Sequence, residues 1–217
     1  MAADGERTGT DVLRLLRTGT AAEHEAVERD LALLDPGLDR PRLVEVLRRL
    51  HGFWRAAEAG IDAWAAEHPA DAEAVTWPRR RRAALFAADL TVLDAEPTRA
   101  VPALAALPGT GAALGRMYVL EGSTMGGAFI DRHLGTLPAL TGTRLRAFSP
   151  YGAETGAMWH GFRQAVRAHI ADGGEPAAVV TAARDTFAAL AAWCRPAGGH
   201  AGAGVRTDGA RSPRTSR

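Results

Sequence analysis

From Leu13 the apolar and uncharged positions advance in steps of three and four: Leu13, Leu16, Thr20, His24, Val27, Leu31, Leu34. That spacing puts them on one face of a helix, and Asp35-Pro36-Gly37 predicts its end. Asp39 before Pro41 reads as an N-cap opening a long helix to about Glu67, stopped before Pro69. Trp77-Pro78 predicts the start of a third helix, through Leu93. After a connection marked by Pro97, Pro102 and Pro108, the pattern predicts a helix from about Gly111 to Leu134. The stretch FSPYGAETG reads as a loop, followed by helices from about Ala157 to Ala171 and from Pro176 to near Arg195. No useful stretch alternates with period two, and nothing repeats at a fixed spacing. The predicted fold class is all-α, a single helical domain over residues 11–195. Residues 1–10 read as a flexible N-terminus and 196–217 as a disordered Arg/Gly-rich tail.

Composition narrows this picture. With 217 residues, 47% of them hydrophobic and 24% charged, the chain can bury a substantial core. No apolar run reads as long enough to span a bilayer, and the N-terminus lacks a signal-peptide pattern. The single cysteine, Cys194, excludes an internal disulfide framework and fits a reducing compartment, so a cytoplasmic protein is expected. The formal charge is +1, but the tail holds four arginines against Asp208, which leaves −2 on the body. A folded part with that balance offers no basic stripe for nucleic acid. All 26 basic residues are arginine, which by itself says nothing of function.

The fourth predicted helix contains YVLEGSTMGGAF, with glycines at 122, 126 and 127. Each costs roughly 0.8–1 kcal/mol against alanine in a helix interior. Gly111, Gly115, Gly122 and Gly126 also fall near one side of the helix. Tight helix packing explains such a strip. So does close approach of a flat, bulky ligand to bare main chain, and Gly126-Gly127 in sequence would let the helix bend.

His24 stands in the middle of the first apolar face. A lone histidine there is more often a packed core residue than a ligand. Glu28, at i+4, can accept from its Nδ1–H and leave Nε2 directed inward, as metal-binding histidines require. Arg17, two turns earlier, can meet an anion at the rim. An inward ring nitrogen, a cation at the edge and a glycine wall opposite describe a haem pocket.

The segments LRTGTAAEHEAVE and YVLEGSTMGG resemble the haem oxygenase family over about residues 11–195, especially its bacterial biliverdin-producing branch, which includes enzymes associated with bacteriophytochromes. The resemblance implies a helical bundle holding haem between a proximal and a distal helix. It implies cleavage of the macrocycle with dioxygen and electrons to biliverdin, carbon monoxide and ferrous iron. On this likeness His24 is the axial ligand of haem iron and Glu28 its partner. Gly122, Gly126 and Gly127 form the distal wall. Arg17, and Arg163 in WHGFRQAV, match positions that contact haem propionates, although Arg163 fits a solvated surface charge equally. Phe187, in ARDTFAAL, matches an aromatic near the haem edge, where an ordinary core role serves as well. Ser123 departs from the family, because many members carry a distal aspartate there that orders a proton-delivering water chain.

With no P-loop or dinucleotide-binding turn, electrons must come from an external donor, such as a ferredoxin or flavodoxin with its reductase. A bacteriophytochrome receiving biliverdin is a further implied partner. Arg79 to Arg82 read as a solvated charged run opening the third helix, or as a docking face for an acidic donor. The other histidines, at 51, 68, 133, 160, 169 and 200, show no i, i+4 pair for zinc. A haem-binding or haem-transfer protein without turnover is the alternative, motivated by Ser123. A helical enzyme of the thiaminase type would need a nucleophilic cysteine, and Cys194 lies too near the last helix's end to serve.

Overall fold

Two opposing demands shape the first helical stretch: an apolar face that must be buried and a threonine at its centre. In the computed structural model, which describes residues 12–195, a helix over 12–19 (α1) gives way at Thr20 to α2, Ala21–Leu31. Thr20 is buried, and its hydroxyl donates to the Leu16 carbonyl at 2.7 Å. Such back-bonding competes with the main-chain ladder and bends helices. The predicted single helix is therefore two segments. It also stops three residues early, because Ala32 takes a left-handed cap at φ 48 and donates its N–H to Glu28. Leu33 consequently turns inward in place of Leu34, which is 57% exposed. Both predicted chain extensions lie outside the described residues.

The Asp39 cap forms as its sequence implies. Its carboxylate accepts from the Arg42 N–H at 2.8 Å and opens α3, Arg40–Glu67, a cap contributing about 1 kcal/mol. Proline at position 69 ends α3 and begins a short helix that the pattern did not announce, α4, Pro69–Ala74. Trp77–Arg80 forms a 3-10 turn, and α5, Ala83–Val92, follows after a break at Arg81 and Arg82. The glycine-bearing helix α6 runs unbroken over Thr110–Thr136. After two 3-10 turns come α7, Thr155–Ala171, and α8, Pro176–Cys194. No strand occurs among the described residues.

α8 packs on α6, α2 and α3, while α5 closes against α3. By length and composition alone α8 could cross a bilayer, a match that the sequence reading passed over. Its apolar residues Val179, Phe187 and Leu190 are instead in the core. The core also holds Phe53, Ile61, Phe86 and Phe162, each at most 1% exposed and each contributing about 1.5–3 kcal/mol by leaving water.

Candidate functional site

α2 carries His24 on the side that turns toward α8. Its Nδ1 lies 3.4 Å from Glu28 Oε2, and its ring meets Phe187 edge-on at 5.8 Å between centroids. The imidazole is not enclosed in core, as its place on the apolar face implied: its side chain is 51% exposed. Phe187 is buried, so α8 supplies a fixed backstop for a ring that is otherwise open.

α6 divides its glycines between two jobs. A Cβ at Gly115 would lie 2.3 Å from the Val179 carbonyl oxygen, and one at Gly111 would touch His169 and Ala178. These two let α6 settle onto α7 and α8. Gly127 has a similar role, since a Cβ there would stand 1.8 Å from the Phe148 carbonyl oxygen. Its bare side meets the protein's own main chain, where the sequence reading had it facing a ligand. At Gly122 and Gly126 an added Cβ meets nothing within 4 Å. Met125 and Phe129, 46% and 64% exposed, complete an i, i+3, i+4, i+7 stripe with them. Gly127→Ala and Gly115→Ala should each destabilise the fold by about 1–3 kcal/mol through overpacking. Gly126→Ala should stabilise it by up to about 1 kcal/mol through helix propensity, a contrast that urea titration reads directly.

α8 serves as a common ruler for α2 and α6. On α8, Val180 sits over Gly19, Arg184 pairs with Glu23 at 2.9 Å, and Phe187 meets His24. The same helix sets Ala178 on Gly111 and Val179, Ala182 and Ala183 on Gly115. Both neighbours thus advance along α8 in the same sense, and seven residues past Gly115 bring Gly122 to the level of His24. Tyr118 of α6 is half-buried, and burial raises its pKa, while the neighbouring Thr20 and the Arg17 charge oppose that push. Trp159 of α7 packs on the Tyr118 ring at 5.9 Å. One turn beyond Trp159, Arg163 is half-buried with its Nε unpartnered.

The haem oxygenase family model matches residues 10–195. The chain belongs to the haem oxygenase family. Its fold is similar to that of the haem oxygenase from Neisseria meningitidis, solved with NO and CO bound, at a TM-score of 0.64 and 22% identity, covering 84% of this chain and 89% of that one. No curated protein matches by sequence. The family reaction is oxidative degradation of haem, so the protein is an oxidoreductase and haem its ligand. The residues present fit such a group: a half-open imidazole on α2, two positions without side chains on α6, and exposed Met125 and Phe129 beside them.

In this haem oxygenase the sequence pattern does not announce what supports α6 from behind. Arg80 and Arg82 are 2% and 1% exposed, not a solvated run. Arg80 pairs with Glu121, whose other oxygen accepts from the Tyr151 hydroxyl at 2.9 Å. Arg82 donates from Nη2 to the Leu120 carbonyl and to Ser123 Oγ, both at 2.6 Å, and from Nη1 to the Ala147 carbonyl. Its guanidinium lies 4.9 Å over the Trp54 ring, and burial holds its pKa below the usual arginine value. The two exposed members, Arg79 and Arg81, are paired with Glu154 and Asp62. The four arginines thus offer no free basic face for a donor.

Farther along α6, burial and the nearby Asp89 charge push the Asp131 carboxyl from 3.8 up to about 6, and its Oδ1 has no hydrogen-bond partner. A raised folded-state pKa means the fold favours the protonated acid. Its contribution to stability is therefore lost as pH rises from about 4 through 6. Asp131→Asn should raise the melting temperature at pH 8 and leave it nearly unchanged at pH 4; an equal shift at both would refute the assignment.

Proposed function

We propose that haem enters the slot between α2 and α6 with His24 Nε2 as its iron ligand, and that this chain opens the macrocycle to biliverdin with loss of carbon monoxide and iron. What supports the reading is a half-exposed imidazole on α2 together with two open, Cβ-free positions on α6, both helices packing on α8. Haem bound there is both substrate and oxygen-activating centre. His24 holds the iron, and Glu28 accepts from Nδ1–H to fix the ring and keep Nε2 a donor. Gly122 and Gly126 bring main chain close to the ligand, so sterics direct oxygen toward one edge of the ring. Phe187 backs the imidazole. Arg17 and Arg163 meet the propionates, since a guanidinium can hold a carboxylate through two hydrogen bonds. Gly127 acts indirectly, by admitting the Phe148 carbonyl beneath the wall.

Hydrogen-bond accounting gives Ser123 a role that does not need a carboxylate. A hydroxyl has one donor and two acceptor sites. Ser123 Oγ donates to the Leu120 carbonyl at 2.7 Å and accepts from Arg82. One acceptor site remains, able to hold a water whose other proton points into the slot. Arg82 supplies the fixed charge that orders it. Electrons come from a separate cytoplasmic donor of the ferredoxin or flavodoxin kind with its reductase, and a bacteriophytochrome is a suitable recipient of the product.

Mixing the protein with haemin should give a sharp Soret band at one equivalent, and adding a reductant in air should replace it with biliverdin absorbance. A haem complex that survives reduction and air unchanged would establish the carrier reading, for which Ser123 in place of aspartate is the motive. Broad, free-haem-like absorbance would remove both. Gly126→Leu should retain the fold and cut product formation at least tenfold, because its side chain fills the open position.

A further inference from the structure

A cavity of about 400 Å³ lies between the extended segment 104–108, the start of α6 and the outer side of α8, sharing no lining residue with the haem slot. Half of its lining is alanine, Leu104, Leu107 and Pro108 add apolar surface, and Thr181, Thr186, Asp185 and Arg116 bring polar groups. That volume falls within the range of small-molecule sites. The walls carry no imidazole, thiol or thioether to ligate iron, so the cavity is not a second haem site.

Arg116 is only 4% exposed. It donates from Nη2 to the Ala105 carbonyl at 2.6 Å, while its Nε is buried without a partner. No carboxylate is within ion-pair distance of it among the described residues. Burial lowers its pKa with no acid opposing that push. Arginine stays charged in proteins, and a buried cation without a counter-ion is costly. Asp185 lines the same cavity from the exposed side of α8 without pairing to Arg116. It therefore disfavours a second anionic group near the mouth.

We propose that this cavity is a binding site for a small amphipathic monocarboxylate, its head on the Arg116 guanidinium and its apolar body along the alanine face of α8. The site stands independently of the haem reading, and either can fail without the other. Sodium decanoate is a suitable probe, titrated calorimetrically into the full-length protein beside decan-1-ol. One saturable site is expected, with decanoate at least tenfold tighter than the alcohol. Thr181→Trp, at the exposed wall, should weaken decanoate at least tenfold while haemin uptake is unchanged. Asp185→Asn should tighten it, and Arg116→Met, if it folds, should make acid and alcohol equivalent. Gly126→Leu serves as control for decanoate lodging in the haem slot and should leave its affinity unchanged. Absence of saturable binding, equal affinity for the alcohol, or a loss in Gly126→Leu and not in Thr181→Trp would each overturn the proposal.

Discussion

His24→Ala should reduce biliverdin formation by at least about 100-fold, which corresponds to roughly 2.7 kcal/mol at the transition state. The fold should survive it. The imidazole is 51% exposed and touches Glu28 and the edge of Phe187. Surface substitutions of this kind change stability by about 0.5 kcal/mol or less, and alanine is the better helix former. Loss of function with an unchanged melting temperature therefore isolates the ligand role. Imidazole added to the variant should restore part of the Soret band and part of the turnover, because the position is open enough to admit it. Glu28→Ala should cost less, about 10-fold or more, since it orients the ring and does not touch iron. Unaltered turnover in His24→Ala would place the iron elsewhere and dissolve the slot assignment.

The features legible in the sequence are those set by neighbours along the chain. The Asp39 cap depends on a carboxylate three residues from an N–H, and the His24–Glu28 contact on i, i+4 spacing. Both are local geometry, so spacing alone announces them. The arginine run shows why the rest was hidden. Arg80 ends a 3-10 turn and Arg81 is extended, at φ −70 and ψ 132. Successive side chains of an extended segment point to opposite sides, so Arg79 and Arg81 reach water while Arg80 and Arg82 enter the core. Nothing in four identical letters distinguishes them. Glu121, Ser123 and the carbonyls of Val75, Leu120, Ala147 and Met158 make the inward pair tolerable, most of them brought from distant positions.

The glycines of α6 are hidden for a related reason. The missing side chain looks the same whether a backbone or a ligand takes its space. Gly115 and Gly127 are opposed by the Val179 and Phe148 carbonyls, Gly122 and Gly126 by nothing within 4 Å. What lies opposite is a tertiary fact. The family motif marks where to look, and the packing separates the glycines that meet the protein's own main chain from those left open.

Glu121→Ala is expected to have the largest effect on stability. Glu121 and Arg80 are each 2% exposed, and the carboxylate also accepts from Tyr151. Removing one partner of a buried pair leaves the other charge without compensation, at about 3–5 kcal/mol, a large share of the 5–15 kcal/mol typical of a domain. Arg80 would keep only the Val75 and Met158 carbonyls. Glu121→Gln should cost less, because an amide oxygen still accepts one hydrogen bond. The double variant Arg80→Met, Glu121→Leu should recover much of the loss, since an apolar pair of similar volume needs no counter-ion. Denaturant titration of the three variants separates charge from packing, and a loss below about 1 kcal/mol in Glu121→Ala would mean that water reaches the pair. The effect should extend to the haem site. Glu121 immediately precedes Gly122 and ties α6 to the Trp77–Arg80 turn, so releasing it frees the bare strip to shift away from His24. Haem affinity should then fall even at temperatures where the variant remains folded, whereas Arg80→Met, Glu121→Leu, which packs the same space, should retain it.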